Sequence, residues 1–136
     1  MAFDAENVFH DGTAITADIS PVSTVRSGGS AVLDLKKTPA KGLSVAMIVA
    51  ADLAEINDTM LVTIEESAAV DSGFVEVARF PLLTKGTGMP GTYILRFQSN
   101  KRYIRAKIDI TDADVGGDFT VTGVYILLTP YAYSKL

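Results

Sequence analysis

A single histidine, His10, stands in the run Val8-Phe9-His10-Asp11-Gly12. Imidazole exchanges protons near neutral pH, and a hydrolytic triad would place it beside an activated serine or cysteine. The chain has no cysteine and no Gly-x-Ser-x-Gly elbow to present a serine. His10 therefore reads as a polar residue of an N-terminal turn. The run Thr111-Asp-Ala-Asp-Val-Gly-Gly-Asp118 sets Asp112 and Asp114 at alternate positions, as calcium loops do. Gly116 stands where a further oxygen ligand belongs, and Gly123 where the closing glutamate belongs. The Asp112–Asp118 loop reads as a turn, with a weakly held cation as the alternative. Gly86-Thr-Gly88-Met-Pro-Gly91 is glycine-rich, but a phosphate cradle opens a helix and here a strand pattern follows. Glu65 and Glu66 are neighbours on a strand pattern and so point to opposite faces. Asn57-Asp58-Thr59 has the form of a glycosylation sequon, without a secretory signal beside it. The expectation is no catalytic residue, no cofactor, no metal and no small-molecule substrate.

The remaining chemical candidate is Asn100-Lys-Arg-Tyr-Ile-Arg-Ala-Lys-Ile-Asp-Ile-Thr111, with four basic residues in positions 100–107. A period of two puts Ile104, Ala106, Ile108 and Ile110 on one side and Tyr103, Arg105, Lys107 and Asp109 on the other. The basic residues are thus the outer partners of a core strand. They form either a solvated face or a protein-contacting one anchored by Tyr103 and Arg105, residue types enriched at interfaces. Nucleic acid is disfavoured, since 12 basic against 16 acidic residues leave a net charge of −4, whereas phosphate binding rests on a basic surface.

The elements that must carry these residues are strands. Met60–Glu66, Phe74–Phe80, Thr92–Gln98 and Phe119–Leu128 alternate with β-branched and aromatic residues, and Ala31–Leu35 and Leu43–Ala50 are further candidates. In the Phe74–Phe80 run the two phenylalanines share the Glu76 face, against the alternation of Val75 and Val77. Ser27-Gly-Gly-Ser30, Thr38-Pro39, Asn57-Asp58 and Asp71-Ser-Gly73 punctuate them. Residues 50–56 read as a short helix or as a strand running into a turn. With 136 residues, 48% of them hydrophobic, the chain suits one packed domain. The longest apolar run, Val45–Ala51, is too short to span a bilayer. The expectation is all-β: a single-domain, jelly-roll-type antiparallel β-sandwich over residues 1–136, with an immunoglobulin-like order as the alternative. An N-terminal arm covers about residues 1–18 and a C-terminal tail about 129–136. Phe3, Val8 and Phe9 in the arm, and Tyr131 and Tyr133 in the tail, are apolar groups that a neighbouring subunit could bury.

Three stretches carry a resemblance: "FDAENVFHDGTAIT"; "VTIEES" with the following "FVEVARF"; and "KRYIRAKIDIT" followed by "GGDFTVTGVYILLT". Together the chain resembles the capsid cement (decoration) proteins of short-tailed bacteriophages. The resemblance implies a non-enzymatic homotrimer, made in the bacterial host cytoplasm and seated on the outer capsid surface of the virion, where it bridges major capsid subunits. It implies no cofactor. The contact residues expected on that reading are Phe3, Val8, Phe9, Tyr103, Arg105, Tyr131 and Tyr133. Alternatives are a jelly-roll carbohydrate-binding module, disfavoured by the lack of tryptophan, and another virion component of the tail or head-completion type.

Overall fold

A computed structural model describes residues 7–36, 40–86, 90–112 and 118–130. Among the described residues nine strands are present: β1 (Val8–Asp11), β2 (Leu33–Asp34), β3 (Ala40–Val49), β4 (Thr59–Ser67), β5 (Val75–Arg79), β6 (Leu83–Thr84), β7 (Gly91–Ser99), β8 (Tyr103–Thr111) and β9 (Val124–Pro130). They build two antiparallel sheets that pack face to face as an all-β sandwich. The first runs β1-β9-β3-β7; the second runs β2-β8-β4-β5, with β6 on the end of β4.

Alternation explains which side of each strand is buried. Val45, Met47 and Val49 of β3, Met60, Val62 and Ile64 of β4, Ile104, Ala106 and Ile108 of β8, and Val124 and Ile126 of β9 all enter one core. Burying such a side chain contributes about 1.5–3 kcal/mol. The pairings are nested: β4 with β5, β3 with β7, β2 with β8, and β1 with β9. Further pairings of β3 with β9 and β4 with β8 close the two sheets.

Three expectations change and one choice between readings is decided. Val8 and Phe9 are buried, Phe9 in the main core, so neither belongs to a free arm. His10 lies on β1 with no exposed surface, so it is not a turn residue. The Phe119–Leu128 pattern is not one strand: Val121 bridges Ile15, and β9 begins only after Gly123 at φ +75°. Glycine is required at 123 because a Cβ there would lie 2.8 Å from Cβ of Ala50. Finally, residues 50–56 form bends and a turn, the second of the two readings.

A bulge settles the conflict in Phe74–Phe80. Ile64 pairs Ala78 and Glu65 pairs Glu76, so Val77 is the extra residue. Crossing the bulge reverses the side on which alternate residues fall. Phe80 therefore drops into the core, and Phe74 lies against Arg105 on the outside.

The two lateral flanks of the sandwich differ. On the β1/β2 side, residues 11–32 form a strap bonded to the sheets. Asp11 N donates to Gly29 O, Ala31 N to Phe9 O, Val32 N to Ser23 O, and Ile19 exchanges both backbone bonds with Ile108. The strap turns at Ser27-Gly-Gly-Ser30, whose glycines have φ of +60° and +88°, as a tight two-residue hairpin requires. On the other side, β7 and β5 are the terminal strands of their sheets.

Candidate interaction surface

The outer face of the second sheet holds the basic run, and its two arginines, Arg102 and Arg105, are paired within the chain. Register places Arg105 opposite Glu65, and Arg105 Nε donates to Glu65 Oε1 at 2.8 Å. Its Nη1 donates to the carbonyl of Pro21 at 2.9 Å, and its guanidinium lies 4.0 Å from the ring centroid of Phe74. Both side chains of the pair are only 12% exposed. Arg105 thus clamps β4, the strap and the segment before β5 together. Arg102 makes a bidentate pair with Asp34, at 2.8 and 2.9 Å, and its guanidinium sits 5.2 Å from the Tyr103 ring. The Arg102 hydrogen bonds hold the Asp34 carboxyl below its ordinary range, and Arg79 does the same for Glu76. Tyr103 is half-buried. Tyr103 and Arg105 share the outer side of β8, but Arg105 is a structural cation and the guanidinium over Tyr103 is that of Arg102. Glu66, on the opposite face from Glu65 as alternation requires, accepts from Ser99 Oγ at 2.7 Å and Asn100 N at 2.8 Å. It thereby pins the β7–β8 turn.

His10 forms a second polar centre that its sequence context does not announce. Nε2 lies 2.8 Å from the carbonyl of Thr13, and Nδ1 lies 2.6 Å from Ser30 Oγ. A carbonyl can only accept, so Nε2 carries the hydrogen; in the neutral ring Nδ1 accepts from the Ser30 hydroxyl. Burial lowers the His10 pKa below 6.5, which keeps the ring neutral at physiological pH. A serine, a histidine and an orienting carbonyl share the connectivity of a hydrolytic triad. A cleft of about 310 Å³, lined by Ser23, Ser27 and Ser30 among others, runs beside it. Ser30 is nevertheless buried, and the bond to His10 joins β1 to the strap at the bridge between the two residues. The only sequence signal was the Ser27–Ser30 turn, which sets Ser30 on the return limb.

Asp112, the one described ligand candidate of the calcium-like loop besides Asp118, accepts from Phe119 N at 3.2 Å and closes that loop. Residues 113–117 lie outside the described residues, as do Phe3, Tyr131 and Tyr133. Gly86 N donates to the Asp52 carboxylate, which ties its loop to residue 52 instead of leaving the amide for an anion. Among the described residues no group of three or more metal-ligating side chains converges. Every buried side-chain nitrogen and oxygen among them has a hydrogen-bond partner.

What stays unfilled is apolar. The inward residues of β7, Tyr93, Leu95 and Phe97, pack on the core yet are only half-buried. Val75 pairs Glu66, on the inner side of β5, and is 64% exposed. Ile94 on the outer side of β7 is 61% exposed. Register continues it into Ala46 and Leu127, an apolar row across the first sheet. Exposed apolar side chains also occur elsewhere among the described residues, at Val22, Val25, Ile56 and Leu82. Comparison of the chain with known protein families, curated proteins and solved structures finds no match.

Proposed function

We propose that this chain is a non-enzymatic structural protein of a phage virion: a homotrimeric cement that binds the outside of the capsid and stabilises it. One observation carries the reading. The chemistry-bearing side chains His10, Ser30, Glu65 and Arg105 are consumed in joining strands, while Val75 and Ile94 are exposed and the inward row of β7 is only half-buried. A chain built this way presents surface to macromolecules and has its polar groups committed to holding shape. The nested strand pairing, 4 with 5 inside 3 with 7 inside 2 with 8 inside 1 with 9, supports a jelly roll, the architecture the resemblance implies. An immunoglobulin-like order would set consecutive strands side by side more often.

The mechanism is linkage. A protein that binds the assembled shell and not its dissociated subunits stabilises the shell by RT ln(1 + [L]/Kd), about 2.7 kcal/mol at a hundredfold excess over Kd. Three linked copies raise effective concentration, so modest single contacts suffice. The carbohydrate-module alternative finds less support. Another cleft, of about 400 Å³, is lined by Thr24, Arg26, Ala31, Val32, Leu33, Asp34 and Lys36, with no aromatic ring among its described lining residues for a sugar to stack on.

The test is to add the purified full chain to expanded, undecorated capsid shells of a short-tailed phage. The expected result is saturable co-sedimentation in multiples of three copies and a higher temperature of DNA release. Absence of binding across shells of several such phages, or binding with no gain in shell stability, would refute the cement reading.

A further inference from the structure

We propose that the limb of the strap from Arg26 to Ala31 is a proton-operated latch on β1, closed while His10 is neutral and released when the ring takes up a proton. The latch does not depend on the capsid reading. His10 is the only histidine of the chain, has no exposed surface, and stands where β1 meets the limb, at the bridge to Ser30. Three kinds of bond close that seam. His10 Nδ1 meets Ser30 Oγ; the backbone is joined by Asp11 N to Gly29 O and Ala31 N to Phe9 O; and Arg26 Nη2, on the limb, donates to the Val8 carbonyl at 2.7 Å.

Protonation turns the seam against itself. Nε2 already donates to the Thr13 carbonyl, so the added proton goes onto Nδ1, facing the Ser30 hydroxyl. A donor then stands where an acceptor stood, and the buried hydroxyl hydrogen loses its partner. The charged groups that act on the ring lie on opposite sides of the seam: Asp11, on β1, attracts the imidazolium, and Arg26, on the limb, repels it. On the other side of β1, β9 sets the uncharged Ile126 opposite His10. A protonated ring is therefore held by β1 and drives off the limb. Burial disfavours the charged ring in the closed seam, and opening hydrates it.

The release is confined to the limb. Farther back the strap is fastened to the second sheet by bonds in which no imidazole takes part. Ile19 exchanges both backbone bonds with Ile108, Asp18 accepts from Ile110 N, and Arg105 donates to the Pro21 carbonyl. The Ser27–Ser30 turn keeps its own two backbone bonds, so the limb leaves β1 as a folded turn. Opening bares the outer edge of β1, where the limb had engaged Asp11 N and Phe9 O.

The sign follows from linkage. In the open limb His10 returns to its ordinary value of 6.5, whereas burial holds it lower in the closed one. Opening thus takes up a proton. The closed form is fully favoured above pH 6.5, and the opening constant rises below it, by up to about thirtyfold between pH 7.5 and 5.0.

The test is native-state hydrogen exchange, read amide by amide by NMR on the full chain at pH 7.5 and 5.0 and corrected for the intrinsic pH dependence of exchange. The Asp11 and Ala31 amides should lose about 10–30-fold in protection, through an opening insensitive to dilute urea. The Ile19 and Ile108 amides should stay better protected than both at either pH. In His10→Gln, whose side-chain amide can keep a donor and an acceptor, the acid loss at Asp11 and Ala31 should disappear. If the limb amides match Ile19 and Ile108 in protection and in urea dependence, the limb opens only with the whole fold and the latch is overturned. If the acid loss persists in His10→Gln, another group drives it and the assignment to His10 is overturned. Should His10→Gln not fold, wild type decides: limb protection that falls from pH 6.5 downward, before the enclosed ring titrates by NMR, supports the latch, and protection that stays constant until the ring titrates overturns it.

Discussion

The bond between His10 and Ser30 gives the sharpest quantitative test of whether this polar centre is structural. Replacing Ser30 with alanine removes the donor to Nδ1 and leaves a buried ring nitrogen without a partner. Stranding a buried polar atom costs about 1–3 kcal/mol, and the 2.6 Å separation together with the zero exposure of His10 places this case near about 2. His10→Leu strands the Ser30 hydroxyl and the part-buried Thr13 carbonyl, for about 3 kcal/mol by the same rule. In the double variant neither member of the His10–Ser30 pair is left stranded. It should therefore be less destabilised than the sum of the two, by a coupling of about 1–2 kcal/mol. Urea unfolding followed by tyrosine fluorescence measures all four corners of the cycle. Single-variant losses that add to within about 0.5 kcal/mol would show that the two side chains are not coupled, and would refute the strand-to-strap role. A serine-directed phosphonate that labels the native protein at Ser30 would refute it from the other direction, because a structural hydroxyl buried at this bridge should not react.

Three further outcomes follow from the geometry. As pH falls below 6.5, the unfolded chain takes up a proton on His10 before the folded chain does. The stability His10 contributes is therefore complete above 6.5 and is lost as pH passes down through its lowered folded value; urea midpoints from pH 8 to 5 should show this slope, and His10→Gln should flatten it. Arg105→Met should cost about 2–3 kcal/mol, near the low end for breaking an enclosed ion pair, because it leaves Glu65 charged and 88% covered. Arg102→Met, at an exposed pair, should leave the thermal midpoint unchanged within error. Gly28→Ala should cost about 1–2 kcal/mol for its left-handed backbone alone, since nothing lies within 4 Å of the added carbon. Gly29→Ala should lose about 1–3 kcal/mol more to overpacking, because its Cβ would sit 2.5 Å from Thr13 Cβ. Equal midpoints for the two glycine variants would contradict the strap geometry.

The parts of the fold that were legible in sequence are those in which local alternation and tertiary burial agree. β4 and β8 bury the residues that a period of two assigns to one face, β7 turns its own toward the core half-covered, and the Ser-Gly-Gly-Ser turn appears where its composition places it. β1 was not legible, because a four-residue strand containing His10 and Asp11 has no polar face to alternate with. Its third residue is buried with its ring nitrogens bonded to the Thr13 carbonyl and to Ser30, the latter twenty positions away. Phe74 and Phe80 share a face in any regular strand. They separate because a bulge opposite Ile64 and Glu65 inserts one residue, and that bulge belongs to the pairing rather than to the segment.

The same distinction explains why the basic run misleads. Alternation correctly puts Tyr103, Arg105 and Lys107 on the outside of the second sheet, and from there an anchor for a partner is a reasonable step. Yet Arg105 is held by Glu65 from β4, Pro21 from the strap and Phe74 from the segment before β5. Those three positions are far apart in the chain, so no local pattern could show that the guanidinium was already committed. Open surface obeys the opposite logic. Tyr93, Leu95 and Phe97 look like any core row in sequence, and only their place at the end of a sheet leaves them half-covered. In sequence the conspicuous charges were candidates for an interface, but Arg102 and Arg105 are paired within the fold, while an ordinary apolar row at the end of a sheet stays half-covered.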